Sequence, residues 1–233
     1  MVPLPNQMIM TIPFQIEVCL ENPLDAIPAQ SAGATRIEIN SALSLDGLTP
    51  SLETCRWLKA NSGLPVIAML RPHTGFCLEA VEQDTLLDDA RLLLDAGVDG
   101  LAYGALDKLG NLNVEYMQQI SELCGDRALV CHRAFDQLVD QRRGLEQLID
   151  CGVRRVLTSG GAKTAEQGLA RLTELQNWAR GRIEILPGSG INSTNALRIA
   201  RLSGCRQLHG TFRADPVEIA AVSRAIEALQ QIG

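Results

Sequence analysis

The chain has 233 residues, 46% of them hydrophobic and 21% charged, with a formal net charge of −6 and a pI near 5.1. That size and apolar fraction suit one large domain, which can build its core without disulfides or metals. The acidic balance, with no block of Lys or Arg, excludes the electrostatic footprint of a nucleic-acid-binding protein.

Residues 1–14 begin Met1-Val-Pro-Leu-Pro-Asn-Gln-Met-Ile-Met10, a stretch that holds two prolines and no Lys or Arg. This segment fits neither a secretory signal nor a membrane span. It reads as a loose N-terminal extension, which leaves 15–233 as one domain. A first strand is expected over Gln15–Cys19. A unit then recurs: an amphipathic helix, a Gly, and a short apolar strand. Its copies are Ala32-Gly33-Ala-Thr-Arg-Ile37, Ala96-Gly97-Val-Asp-Gly-Leu101, Cys151-Gly152-Val-Arg-Arg-Val156 and Ser203-Gly204-Cys-Arg-Gln-Leu208. In each, an apolar residue stands four positions after the Gly, where a helix end that needs a left-handed residue turns into a strand.

Apolar runs at Val66–Arg71, Ala128–Arg133 and Arg182–Pro187 supply further strands. Helical patterns cover Asp84–Asp95, Gly144–Asp150, Thr164–Ala179 and Pro216–Gln231. Strands recur roughly every 27 residues, near the repeat of a βα unit. Eight such units predict an α/β fold, a single (β/α)8 TIM barrel, rather than a doubly wound sheet. The glycine fingerprint of a dinucleotide fold is absent after the first strand, where Val18-Cys19-Leu20-Glu21-Asn22-Pro23 stands. Seven cysteines, at 19, 55, 77, 124, 131, 151 and 205, form no Cys-x-x-Cys. An odd number of thiols, several inside apolar runs, points to reduced cysteines and a cytoplasmic setting.

In such a barrel the site is built where strands end and loops begin. The first strand sets Glu17 and Cys19 against Ile16 and Val18; the second sets Glu38 and Asn40 against Ile37 and Ile39. The third ends in Arg71, followed by Pro72 and His73. The fifth ends in His132 and Arg133, with Asp136 three residues on; the seventh carries Glu184 and the eighth His209. Strand alternation turns Glu17, Glu38 and Glu184 into the barrel. Buried carboxylates are costly unless paired, and Arg71, Arg133, His132 and His209 are the available partners. One reading is a structural ion-pair network. The other is an enzyme acting on a small anionic or phosphorylated metabolite, in which His132 or Glu38 moves a proton. There Asp136, or another carboxylate such as Glu17 or Glu184, orients the imidazole, and Arg71 holds the substrate. Asp136 can equally pair with Arg133.

The segment Leu186-Pro-Gly-Ser-Gly-Ile-Asn-Ser-Thr-Asn195 joins small residues to N-cap types at Asn192, Ser193 and Thr194. With Arg71 and Arg133, the residues Gly188, Ser189, Gly190, His209 and Gly210 form a candidate anion cradle; an ordinary Gly-rich turn is the alternative. No zinc or calcium spacing occurs. Soft donors near the mouth, Cys19, Met69, His73 and Cys77, are of the kind Cu(I) prefers, and they are equally the stuff of apolar cores.

Taken together, the words Ile16-Glu-Val-Cys19, Ala32-Gly-Ala-Thr-Arg-Ile-Glu38, Gly47-Leu-Thr-Pro-Ser51, Met69-Leu-Arg-Pro72, Tyr103-Gly-Ala-Leu106, His132-Arg-Ala-Phe-Asp136, Val156-Leu-Thr-Ser-Gly160, Ile185-Leu-Pro-Gly-Ser-Gly190 and His209-Gly210 closely resemble the CutC family, in order and over about residues 16 to 213. The resemblance implies a cytoplasmic TIM barrel, often a homodimer or higher homo-oligomer, linked to copper homeostasis, with Cu(I) bound through cysteines. Two places depart from the family. Glu38-Ile39-Asn40 stands where it commonly has Glu-Leu-Cys, and His73-Thr-Gly-Phe-Cys77 replaces a Gly-Gly-Asp-Phe-like loop. A copper site pairing thiols of the first two strands therefore lacks one ligand, which leaves Cys19 with Cys77 or His73 as substitutes.

Overall fold

Eight short parallel strands alternate with helices in the computed structural model of the chain, which describes residues 14–212 and 219–230. The strands are β1 (Gln15–Leu20), β2 (Arg36–Ile39), β3 (Val66–Met69), β4 (Gly100–Tyr103), β5 (Ala128–Cys131), β6 (Arg155–Thr158), β7 (Glu184–Pro187) and β8 (Gln207–Gly210). The helices are α1 (Ala26–Ser31), α2 (Leu52–Asn61), α3 (Ala80–Asp95), α4 (Val114–Cys124), α5 (Gln141–Asp150), α6 (Leu169–Ala179), α7 (Ala196–Ser203) and α8 (Ile219–Gln230). None of the helices among the described residues is long and apolar enough to cross a membrane.

Consecutive strands pair in parallel from β1 to β7, and β1 also pairs with β8. Only β7 and β8 meet without a backbone ladder. Their seam is bridged by a side chain, with Gln207 Nε2 donating to Glu184 Oε2 at 3.2 Å. The result is the expected TIM barrel, closed except at this seam. Each helix-to-strand turn uses its glycine as the recurring unit requires: Gly33, Gly97, Gly152 and Gly204 have φ of 94°, 90°, 74° and 72°.

Some boundaries differ from the sequence expectation. The ladder stops at Met69 and Cys131, so Arg71, His132 and Arg133 stand beyond the strands. His132 is still extended and caps a short 3-10 turn, Arg133–Gln137, by accepting from the Ala134 N–H at 3.2 Å. The helix expected from Thr164 begins at Leu169. Before it the chain is pressed against the loop after β6, so closely that a Cβ on Gly168 would lie 1.8 Å from the Ser159 carbonyl oxygen. The extension before residue 14, and the ends of the Pro216–Gln231 helix, lie outside the described residues.

Alternation gives each strand an outward apolar face and an inward face of its own kind. Ile16, Val18, Ile37, Ile39 and Leu101 pack outward with the helices. Ile67, Met69, Ala102, Ala128, Val130, Leu157 and Leu186 form a separate inner cluster. That inner cluster draws only on β3 to β7. The inward faces of β8, β1 and β2 are polar, so the barrel interior is half oil and half ion-pair network. The apolar half is tightly packed at Gly100, where an added Cβ would stand 2.3 Å from the Ala128 carbonyl oxygen and 2.8 Å from Ile67 Cδ1. A Gly100→Ala variant is expected to lose about 1–3 kcal/mol, read as a lower urea midpoint; an unchanged midpoint would contradict the packing described.

Candidate functional site

The polar half is assembled by register. On β1 and β8, Glu17 stands opposite His209; on β1 and β2, Cys19 stands opposite Glu38. Glu17, 1% exposed, takes a hydrogen bond from Arg36 Nε on Oε2 and faces His209 Nδ1 at 2.7 Å on Oε1. Arg36 also donates to Gln207 Oε1 at 2.9 Å. Burial alone would raise the Glu17 pKa, but the charges of Arg36 and His209 outweigh it and hold the carboxyl well below the usual range. Burial works on His209 in the opposite sense, and there Glu38 and Glu17 outweigh it, so its pKa lies above the ordinary value.

One layer higher, Asn40 Nδ2 donates to Glu38 Oε2 at 3.0 Å and to Cys19 Sγ at 3.2 Å, and the Cys19 thiol donates to the same carboxylate oxygen at 3.4 Å. His209 Nε2 lies 3.7 Å from that oxygen. Cys19, Glu38 and His209 each place one donor atom within 4.8 Å of the others. Burial raises the Glu38 pKa, with His209 pulling against it. The second carboxylate oxygen, Glu38 Oε1, is buried without a hydrogen-bond partner.

Above this cluster, a cavity of about 300 Å³ opens at the barrel mouth, with Cys19, Glu38, Arg71, His132 and His209 in its walls. Arg71 is pinned by carbonyl oxygens: NH1 donates to Leu45, Asp46 and Gly47 and NH2 to Thr74, while the Phe76 ring centre lies 4.8 Å from its guanidinium carbon. Phe76 also tilts against His132 at 5.4 Å. His132 is 2% exposed, and burial, then the charge of Arg71, brings its pKa down to about 3.

The structure thus joins Glu17, Glu38, Cys19 and His209, and sets Arg71, Arg133, His132, Ser189, Gly190 and Gly210 in the wall of one cavity. Other candidates lie elsewhere. Glu184 is the first residue of β7, at the opposite end of the barrel from the mouth, with a 49% exposed side chain paired to Arg155 at 2.5 Å. It shares the inward face of β7 that alternation gives it, but it stands away from the cavity. Asp136 does not orient His132; it pairs with Arg133 at 3.0 Å and accepts from the Ser159 and Gly161 N–H groups and the Thr158 hydroxyl. His73 and Cys77 are outside the cavity wall: His73 faces Glu82 at 3.3 Å, and the Cys77 thiol donates to the Asp107 carbonyl at 3.3 Å. Gly188 is not in the wall of this cavity and gives room to its neighbours, since a Cβ there would lie 2.5 Å from Leu157 Cδ1. Arg36 and Gln207 were missed, although each stands two residues before an inward-facing site residue, on the same strand face.

His132 makes stability depend on pH. Its folded pKa lies below the unfolded value near 6.5, so the contribution is complete above that pH and is lost as pH falls toward 3. At about 1.36 kcal/mol per unit this amounts to on the order of 5 kcal/mol. Urea unfolding at a series of pH values is expected to show that slope in the native chain and a shallower one in His132→Asn; equal slopes would exclude His132 as the source.

Comparison with known proteins agrees with this architecture. The CutC family profile matches residues 14–214. A CutC family protein of Treponema denticola is 43% identical over 197 residues, covering 84% of this chain and 80% of that protein. The copper homeostasis protein cutC homolog of Homo sapiens is 37% identical over 202 residues, 86% of this chain and 74% of its own length. A solved structure described as a copper homeostasis protein CutC from Streptococcus agalactiae superposes with a TM-score of 0.81 at 28% identity, covering 85% of this chain and 98% of that one. Phosphoribosyl anthranilate isomerase of Thermotoga maritima, at 14% identity and a TM-score of 0.61 over 94% of this chain and 99% of that one, shares the fold alone. A profile match over nearly the whole barrel, with relatives this close, makes the chain a member of the CutC family.

Proposed function

We propose that this protein binds copper at the barrel mouth, in a cytoplasmic copper-homeostasis role, with Cys19, Glu38 and His209 as ligands. The observation that carries the reading is the convergence of one sulfur, one imidazole nitrogen and one carboxylate oxygen within 4.8 Å. The names of the human and streptococcal relatives support the metal.

The surroundings suit a metal. Metal-binding histidines are usually oriented by a carboxylate on their other nitrogen, and Glu17 holds His209 Nδ1, which leaves Nε2 for the ion. Arg36 in turn fixes Glu17. Cys19 supplies the soft donor that copper favours. Loading the site displaces the thiol proton now shared with Glu38, so affinity rises with pH. Asn40 stands at the position of the second thiol that family members commonly carry, and its amide hydrogen-bonds the Cys19 sulfur. The set of one S, one N and one O is therefore harder than a pair of thiolates.

Anaerobic Cu(I) titration against a competing chelator tests the assignment. Native protein is expected to bind one ion. Cys19→Ala and His209→Ala should each lose about 100-fold or more in affinity, and Glu17→Gln about 10–100-fold; Asn40→Cys should bind more tightly. Equal affinity of native protein and Cys19→Ala would sink the proposal.

A further inference from the structure

The cavity above the proposed metal ligands is far larger than an ion needs. At about 300 Å³ it stands at the lower end of the range for small-molecule sites. Leu43, Met69, Phe76 and Leu157 make part of its wall apolar; Gly190, Ile191 and Thr211 contribute another part.

The loop after β7 leaves two backbone donors unpartnered beside this space. The Ser189 carbonyl accepts from the Ala165 N–H at 3.0 Å, and the Gly190 carbonyl from Asn195 Nδ2 at 2.9 Å. In a planar trans peptide the N–H of the next residue points the opposite way from that carbonyl. The N–H groups of Gly190 and Ile191 are therefore directed away from the loop's own partners, and neither meets an acceptor among the described residues. The start of α7 is not the donor set: Asn192 Oδ1 already accepts from the Thr194 and Asn195 N–H groups, and Asn195 Oδ1 from that of Asn192.

A second observation comes from the strand ends. His132 Nδ1 accepts from the Ala134 N–H, so in the neutral ring Nε2 carries the hydrogen. That nitrogen, and Nε of Arg71, are buried without hydrogen-bond partners. Both side chains line the cavity and are at least nine-tenths buried. Arg71 bonds only to carbonyl oxygens, and no carboxylate among the described residues lies within ion-pair distance of it. The Phe76 ring packs against both side chains. The unpartnered groups on this side of the cavity are donors, whereas Glu38 Oε1, an unpartnered acceptor, lies on the side of the proposed metal ligands, and the Asp46 carboxylate in the same wall acts on Arg71 from beyond ion-pair distance. The matching ligand is an anion rich in acceptors, with a carbon skeleton for the apolar wall.

We propose that the cavity binds a small organic phosphate, its phosphoryl group on the Gly190 and Ile191 N–H groups and an oxygen of its skeleton on His132 Nε2. The position beyond the seventh and eighth strands is where barrel folds commonly hold phosphate. None of these donors is a proposed copper ligand, so the site stands independently of the metal.

Calorimetric titration of metal-free full-length protein tests this with glycerol 3-phosphate, phosphoglycolate, inorganic phosphate, malate and succinate. At least one phosphate ester is expected to bind more tightly than inorganic phosphate and than either dicarboxylate. His132→Phe should weaken the esters by about tenfold or more and leave inorganic phosphate unchanged. Asn195→Ala, which removes the shorter of the two side-chain hydrogen bonds to the Gly190 carbonyl and leaves that from Asn192 Nδ2 at 3.3 Å, should weaken every phosphate probe severalfold. A Cu(I) titration of the same native preparation runs beside these, so that ester binding without copper binding, or the reverse, separates failure of this site from failure of the metal site. No ester binding at about 10 mM, dicarboxylates as tight as esters, or native affinity in His132→Phe would each overturn the proposal.

Discussion

A carboxylate buried at the centre of a barrel is tolerable only because two cations reach it. Glu17 sits between Arg36 and His209, one from each neighbouring strand, and both of its oxygens are engaged. Removing one partner of such a buried group leaves an uncompensated charge, and that is far more costly than the net stabilisation of the intact set. The rest of the mouth rests on this arrangement. With Nδ1 engaged by Glu17, His209 presents Nε2 toward Glu38; Glu38 receives Asn40 and Cys19. A charged layer at mid-barrel thus sets the geometry of the polar layer above it, and the apolar side chains of β3 to β7 supply the rigid wall against which both are held.

Much of this was legible in the chain, for reasons that can be stated strand by strand. A period of two along Gln15–Cys19 and Arg36–Asn40 shows which residues face inward, because branched apolar residues occupy the other face. The same reasoning placed Glu184 inward, and it does face the barrel side of β7. Alternation, however, carries no information about height. Glu17 is the third residue of its strand and Glu184 the first, and the stagger between strands leaves one in the middle of the barrel and the other at its open lower rim. Level is set by inter-strand register, which no single strand reveals.

The partner of Asp136 was hidden for a similar reason. Its local neighbour His132 turns away to cap its own 3-10 turn, and Asp136 instead gathers donors from the loop after β6, more than twenty positions along the chain. Cys77 and His73 share residue type with metal ligands, yet of residues 73–77 it is Phe76 that reaches the cavity, and each of the other two finds another partner outside its wall. What the residue types did reveal correctly was the departure at Asn40. It occupies the inner face beside Cys19 and keeps contact with the sulfur through its amide, so the substitution changes the donor set without opening a hole beneath it.

The seam between β7 and β8 acquires a different significance once the mouth is considered as an aperture. Elsewhere around the barrel, backbone ladders lock each strand to the next. At the seam, closure depends on side chains near the lower rim, Gln207 reaching Glu184, while at the upper rim the loops after these same two strands line the cavity. There the seam is held by close packing instead: a Cβ on Gly210 would lie 3.1 Å from the Ile191 carbonyl oxygen and 3.5 Å from its Cβ. The barrel is thus stapled by side chains at the bottom and wedged by backbone contact at the top, and it closes its last joint without a ladder hydrogen bond.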